Sequence, residues 1–213
     1  MRKTKTEALK TREDLILTAL DTFDKKGVAH ASLNEIAQTA GVTRGALYWH
    51  FKNKEDLFEA LFQHIFEDFE ICLAADADID ASNDWISLSD ALVNMFERIK
   101  HNETHRKFIN ILHLKCEHTE QNESIIRLMD KYREMWHALL TEKLRACVAQ
   151  KQLPPDLNLD LAVLYLHSVT VGLTIEWLQD IEKFDIAKIA PALIKTTLSS
   201  LQTSILLRTK QGK

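Results

Sequence analysis

Residues 32–54, SLNEIAQTAGVTRGALYWHFKNK, constrain the fold more tightly than any other stretch, because they contain two helix starts and a helix stop close together. Ser32-Leu33-Asn34-Glu35 has the form of a capping box: the Ser32 hydroxyl can accept from the Glu35 amide, and the Glu35 carboxylate can reach back to the Ser32 amide. Leu33, Ile36, Ala37 and Ala40 then recur at i, i+3, i+4 and i+7, one apolar stripe on two turns. Gly41 suits the left-handed residue that ends such a helix, Val42 can pack in the turn, and Thr43 caps a second helix over residues 44–50. Two short helices around a glycine-bearing turn form a helix-turn-helix, whose second helix enters a DNA major groove.

The rest of the chain reads as helices as well, and only five Gly and three Pro interrupt it, so the expected fold class is all-α. Residues 1–10 form a basic arm, either a solvated terminus or an arm that touches phosphate or minor groove. A helix is predicted over residues 7–26, with Leu15, Ile16, Ala19, Leu20 and Phe23 inward and Gly27 as its stop. Asn53 caps a long helix carrying Leu57, Phe58, Leu61, Phe62, Ile65, Phe66 and Phe69, more apolar surface than a three-helix head can absorb. The acidic, small-residue stretch 74–84 is the expected loop. Amphipathic helices follow around residues 85–100, 104–118 and 120–150, the last stopped by Leu153-Pro154-Pro155. Asp156 or Asn158 caps a helix to about Gln179, and Asp185 opens a final one, with Pro191 expected to kink it or delay its start.

The net charge of −4 does not advertise a nucleic-acid binder, but it is unevenly placed. Residues 1–54 hold ten Lys and Arg against six acids, a surplus of four, which leaves −8 for the remainder. That polarity fits a DNA-binding head, residues 1–54, on an acidic body, residues 55–213. Cys72, Cys116 and Cys147 are odd in number and far apart, which fits a reducing compartment without disulfides. With a charged N-terminal segment that lacks an apolar core, and no run expected to reach the roughly 18 apolar residues of a membrane span, the expected location is cytoplasmic and away from the membrane.

Catalysis has little support. Glu134 and His137 make one Glu-x-x-His pair, whereas helical di-iron sites need two such pairs and two further glutamates. His101 with His105, and His113 with Cys116 and His118, match no four-ligand zinc spacing. No glycine-rich phosphate loop, nucleophile elbow or HExxH is present, so no enzyme activity, metal or cofactor is expected.

The segment GVTRGALYWHFKNKEDLF, with the capping at Ser32 and Leu33 before it, resembles the DNA-binding head of the TetR family, in the branch that represses multidrug efflux pumps and includes AcrR, TtgR and MtrR. The start, MRKTKTEALKT, and residues 110–122 are particularly similar to MtrR. The resemblance implies a homodimer of all-helical subunits, each a three-helix head on a ligand-binding body, joined through helices at 160–179 and 185–208. Its partners would be palindromic double-stranded operator DNA and a small amphipathic inducer. Rival readings are a family member governing a metabolic or redox operon, and a helical metal enzyme.

Roles at the DNA follow from side-chain chemistry. Arg44 suits bidentate contact with guanine, Ala46 or Leu47 can meet a thymine methyl, and Gly45 lets the helix approach closely. Ser32, Thr43, Tyr48, His50, Lys52 and Lys54 offer donors for phosphates. Trp49 can either back the DNA or fill the core of the head, and Leu47 and Phe51 read better as core. For the ligand, the resemblance implies an aromatic-lined cavity, to which Phe66, Phe96 and Trp136 would bring apolar surface and Asn110, His113 and Glu176 polar contacts; Phe62, Trp85, Phe108, Trp177, His137 and His167 are further candidates. Where MtrR carries an acid and a base, this chain has Val171 and Glu176, which predicts a shift toward cationic ligands.

Overall fold

The computed structural model describes residues 5–78, 83–116 and 122–209, all in helices and their connections. The order is α1 (Lys5–Lys26), α2 (Leu33–Thr39), α3 (Arg44–His50), α4 (Lys54–Asp78), α5 (Asp84–His101), α6 (Glu103–Asn110), a π-helical segment (Ile111–Lys115), α7 (Glu123–Ala149), α8 (Leu159–Gln179), α9 (Ile186–Thr203) and a short 3-10 turn (Ile205–Leu207). Residues 1–4 of the basic arm, and His118 with its neighbours at 117–121, lie outside the described residues.

The local signals around residue 40 act as their chemistry demands, save that the Glu35 carboxylate expected to return to the Ser32 amide pairs with Lys26. Gly27 and Gly41 take φ of 81° and 68°, the left-handed conformation that costs other residues most. At the end of α2 the Val42 amide donates to Ala37 O (2.9 Å) and the Gly41 amide to Gln38 O (3.1 Å), the paired bonds of a Schellman motif. Ser32 accepts from the Glu35 amide at 3.2 Å and Thr43 from the Ala46 amide at 3.1 Å, each cap contributing about 1 kcal/mol. Asn53 accepts from Asp56 N (2.8 Å) while the Asp56 carboxylate accepts from Lys52 N (2.9 Å), a reciprocal cap that launches α4.

The chain divides into two compact units: Met1–Phe69 with Glu103–Asp130, and Glu70–Asn102 with Lys131–Lys213. The first is larger than the head of residues 1–54 that the charge pattern suggested. Its core continues from α1 along α4, where Phe23 meets Phe58 (5.7 Å between ring centroids) and Phe58 meets Phe62 (6.1 Å), and it is closed by α6, whose Phe108 sits edge-on to Phe62 at 4.7 Å. Leu15, Ile36, Leu47, Phe51 and Leu57 are buried in the same core.

In the second unit α9 packs on both α5 and α8, burying Leu92, Phe96, Leu166, Ile194 and Leu201 among others. Lys100 on α5 reaches Asp185 at 2.7 Å. This contact takes the carboxylate expected to cap α9, which has no side-chain cap bond. The Lys100 ammonium holds the Asp185 carboxyl below its ordinary range.

Several expectations need correction. The stretch 74–84 is not all loop: α4 runs on to Asp78, in keeping with the high helix propensity of its alanines. The helix predicted over residues 104–118 ends at Asn110 and widens into the π segment, a local register change that an unbroken apolar stripe does not announce. Helix α7 ends at Ala149, ahead of the prolines, where Lys151 adopts φ of 61°. Pro191 lies inside α9, which starts at Ile186, so of the two effects expected of it the delayed start is excluded. Another concerns the membrane: among the described residues α8 contains an 18-residue window of mean hydropathy 1.5, so it is long and apolar enough by composition to span. A third of that window is buried inside the unit.

Candidate nucleic-acid interface and ligand-binding residues

Helix α3 is anchored by Leu47, which is fully buried, and by Phe51, buried just after its last turn. With that face fixed inward, the 3.6-residue period turns Arg44, Gly45, Tyr48 and Trp49 outward. Trp49 is 74% exposed, which answers the question its sequence position left open: it does not fill the core. Its indole meets the His50 ring edge-on at 4.6 Å, so the two rings form one raised aromatic edge. Tyr48 is 43% exposed, and the Arg44 guanidinium lies over its ring, 5.3 Å from the centroid.

Gly45 has no internal reason to be glycine. A methyl group built there would meet only Thr43 Oγ1, at 4.0 Å, and the backbone is not in the left-handed region. Ala46 is half-buried, and Ser32, Thr43 and Lys52 are exposed. The Ser32 and Thr43 oxygens already serve as helix caps, so an approaching phosphate would meet their remaining donor capacity.

Lys54 differs from its expected role. Its ammonium donates to the carbonyls of Val28 (2.7 Å), Ala29 (3.3 Å) and Ala31 (3.5 Å), which close the connection from α1 to α2. An ammonium has three protons, and here three carbonyls use them, so this lysine pins the start of α4 to the turn. Arg12 is half-buried, its guanidinium over the Phe51 ring at 5.2 Å.

The six residues named for ligand contact do not fall in one unit. Phe66, Asn110 and His113 belong to the first, Phe96, Trp136 and Glu176 to the second. Phe96 is sealed in the core of its unit and Trp136 is half-buried. The Asn110 amide donates to Asp24 on α1 at 2.7 Å. His113, on the π segment, is exposed. Glu176 is exposed and pairs with Lys183 at 2.6 Å, so its charge faces water and a lysine. The prediction of a cation preference therefore loses its physical basis. His137 and His167 do come together, their rings edge-on at 4.6 Å in the second unit. An open groove of about 530 Å³ is lined by Val148, Leu153, Pro154, Pro155 and Gln202 and holds none of the candidates.

Of the residues that tie α6 to α1, Lys107, Asp21 and Asp24 were not singled out from the sequence, and Asn110 was assigned to a ligand. Lys107 bridges Asp21 on α1 and Glu103 one turn back, both at 2.7 Å. Hydrogen bonds to those two carboxylates raise the pKa of the Lys107 ammonium. Together with Asn110 to Asp24, and Val28 N, just past the end of α1, to Lys115 O at 2.9 Å, this makes three polar links from α6 and the π segment to α1 and the connection after it. The spacing of Asp21 and Asp24 on one helix face was the available signal, but their partners lie 86 residues away.

Cys147 is buried, and its thiol is pushed up to about 11 by desolvation and by the nearby Asp84 charge. That makes it unreactive at neutral pH. Among the described residues, no group of three or more His, Cys, Asp or Glu side chains is arranged to hold a metal ion.

Two family descriptions match the chain: bacterial regulatory proteins of the tetR family over residues 15–61, and the C-terminal region of MAATS-type transcriptional repressors over residues 83–203. The chain is 33% identical over 202 residues to the probable acrEF/envCD operon repressor of Escherichia coli K12, covering 92% of this chain and 89% of that one. It is 32% identical over 208 residues to the HTH-type transcriptional regulator TtgR of Pseudomonas putida, covering 98% and 99%. Its fold matches the crystal structure of NalD, the secondary repressor of the MexAB-OprM multidrug efflux pump in Pseudomonas aeruginosa, with a TM-score of 0.79 at 30% identity, over 92% of this chain and 99% of that one. With a helix-turn-helix at one end, a helical body after it, and relatives a third identical along nearly the whole length, the chain belongs to the TetR family of bacterial transcriptional regulators.

Proposed function

We propose that this chain is a cytoplasmic repressor of a multidrug efflux operon, which holds a palindromic operator as a homodimer and releases it when a small amphipathic compound binds. DNA contact falls to residues 1–54, ligand binding and dimerisation to residues 55–213. The observation that carries the reading is α3: a seven-residue helix whose buried Leu47 leaves an arginine, a glycine and two aromatic rings outward. Arg44 would read guanine, Ala46 would face a base edge, and Ser32, Thr43, Tyr48, Trp49, His50 and Lys52 would engage the backbone. Repression of efflux operons by the relatives supports the choice of target.

Dimerisation is supported by the apolar surface that α8 and α9 leave uncovered. Leu161, Leu164, Ile189 and Leu193 are all exposed, Leu164 by 54%. A second copy laying its own pair of helices against them would form a four-helix interface and remove that surface from water.

Two segments can carry a ligand-induced change to the head. One is α4, whose first residue, Lys54, is bonded into the turn between α1 and α2. The other is α6 with the π segment, tied to α1 through Asp21, Asp24 and Val28. Both continue in sequence into the other unit. A ligand that prefers the state in which these segments are displaced would change the spacing of the two recognition helices, and half-sites a whole number of turns apart tolerate little change.

The test begins with duplexes selected by the purified protein from a random pool. Arg44→Ala is expected to lose about 1–3 kcal/mol on the selected duplex and to relax its preference, whereas Lys52→Ala weakens selected and random duplexes alike and flattens the salt dependence by about one phosphate. Equal losses on both duplexes for both variants would overturn the assignment. Release by hydrophobic cations or bile salts supports an efflux target; release by a metabolite or a thiol oxidant alone points to a different operon.

A further inference from the structure

We propose that Tyr48 is a positioning residue whose ring holds the Arg44 guanidinium ready to read a base. The inference rests on α3 being the DNA-reading helix. Arg44 is the first residue of α3 and Tyr48 stands one turn later, at i+4. Side chains on a helix lean toward its N-terminus, so the Tyr48 ring lies over the turn that carries Arg44. The guanidinium lies 5.3 Å from the ring centroid, inside the range where the ring's negative face attracts a cation.

Arginine is the long, many-rotamer side chain at the exposed start of this helix, and a bidentate contact with guanine demands one orientation of its plane. Ordering it at the moment of binding would weaken that contact. A ring that already holds the plane removes part of that ordering, which is preorganisation of the reading group. The ring is itself well placed to be stiff, because Leu47 and Phe51 on either side of Tyr48 are buried and fix the helix beneath it. The phenol hydroxyl remains available for a phosphate, so the two parts of one side chain have separable roles: the ring supports selectivity and the hydroxyl supports affinity.

The separation is tested with Tyr48→Phe, which keeps the ring, and Tyr48→Leu, which removes it, each checked by thermal melt. The readout is the ratio of affinities for a duplex selected by the wild-type protein and for random duplex of the same length. Tyr48→Phe is expected to keep the wild-type ratio. Tyr48→Leu is expected to lower it about two- to fivefold, the scale of an exposed cation–π contact. In an Arg44→Ala background, Tyr48→Leu should leave the ratio where Arg44→Ala alone puts it. In the free protein, Arg44 side-chain protons should show ring-current shifts that Tyr48→Phe preserves and Tyr48→Leu abolishes.

If Phe and Leu lower the ratio together, the hydroxyl carries the effect and the positioning role is overturned. Additive losses in the Arg44→Ala background, or absent ring-current shifts, overturn it as well. If the wild-type protein selects no duplex from the pool, the DNA reading of α3 falls, and that failure is distinct from a selected duplex on which Tyr48→Leu behaves as wild type.

Discussion

Substituting Gly45 by alanine should make the protein more stable and a worse DNA binder. A methyl group at this position meets nothing closer than Thr43 Oγ1 at 4.0 Å, so the folded state accommodates it without displacement. Replacing glycine at an ordinary helical position reduces the freedom of the unfolded chain and raises stability by about 0.5–1 kcal/mol. If α3 lies with its N-terminal turn against the base edges, the same methyl pushes the backbone away and loosens the arginine one residue before it. Loss of one good bidentate base contact is about 1–3 kcal/mol, a weakening of roughly 5- to 150-fold on a selected duplex. The assay pairs urea unfolding with binding titrations on selected and random duplexes. A variant that is stabilised and binds the selected duplex like wild type would refute the close approach. A destabilised variant would refute the claim that the protein itself does not require the glycine.

Four further outcomes follow from particular contacts. Lys54→Met should lower stability by about 1–3 kcal/mol, because it removes the partner of three carbonyls in the turn, while Lys52→Met leaves the melting temperature unchanged; a Lys54 variant that loses only DNA affinity would contradict this. Glu176→Gln should leave the binding of a hydrophobic cation unaltered in fluorescence titration, since the carboxylate is exposed and paired with Lys183. Gly172, whose added methyl would meet no atom within 4 Å, lies on the exposed side of α8, so Gly172→Leu should fold normally and shift the sedimentation equilibrium toward monomer. The Cys147 thiol has its pKa raised from 9.0 to about 11, so its contribution to stability is present below pH 9 and is lost as pH rises toward 11. Unfolding titrations should lose about 1–3 kcal/mol across that window through the thiol, and Cys147→Ala should reduce the slope by that share while leaving the part that Lys107 contributes.

What could be read in the sequence was what neighbours in the chain decide. The caps at Ser32, Thr43 and Asn53, and the left-handed Gly27 and Gly41, each act within a turn of themselves, and each appears where its chemistry places it. The break at Ile111–Lys115 could not be read, because a π turn needs no special residue and the apolar stripe runs through it. Nor could the size of the first unit, which depends on Phe108 returning to Phe62, 46 residues earlier in the chain. The role of Glu176 turned on a lysine beyond the end of its own helix, seven residues later, where helical spacing gives no guidance.

Lys52 and Lys54 show the limit most clearly. They are two residues apart, carry the same charge, and sit beside the same DNA-facing motif, so the same reasoning assigns both to phosphate. Only the cap at Asn53 separates them: Lys52 lies before the helix start, where its side chain extends into solvent, and Lys54 is the first residue of α4. At that point the chain passes beneath the connection from α1 to α2, where the carbonyls of Val28, Ala29 and Ala31 converge. Carbonyls in a connection have no partner within a helix, and burying them without a donor is costly. The ammonium that supplies the donors is thereby taken up by the connection and fixes the start of α4 to it. Whether a basic residue beside such a helix is free for phosphate thus depends on whether carbonyls of a nearby connection take its donors, and that competition is settled by the partners the fold brings to it.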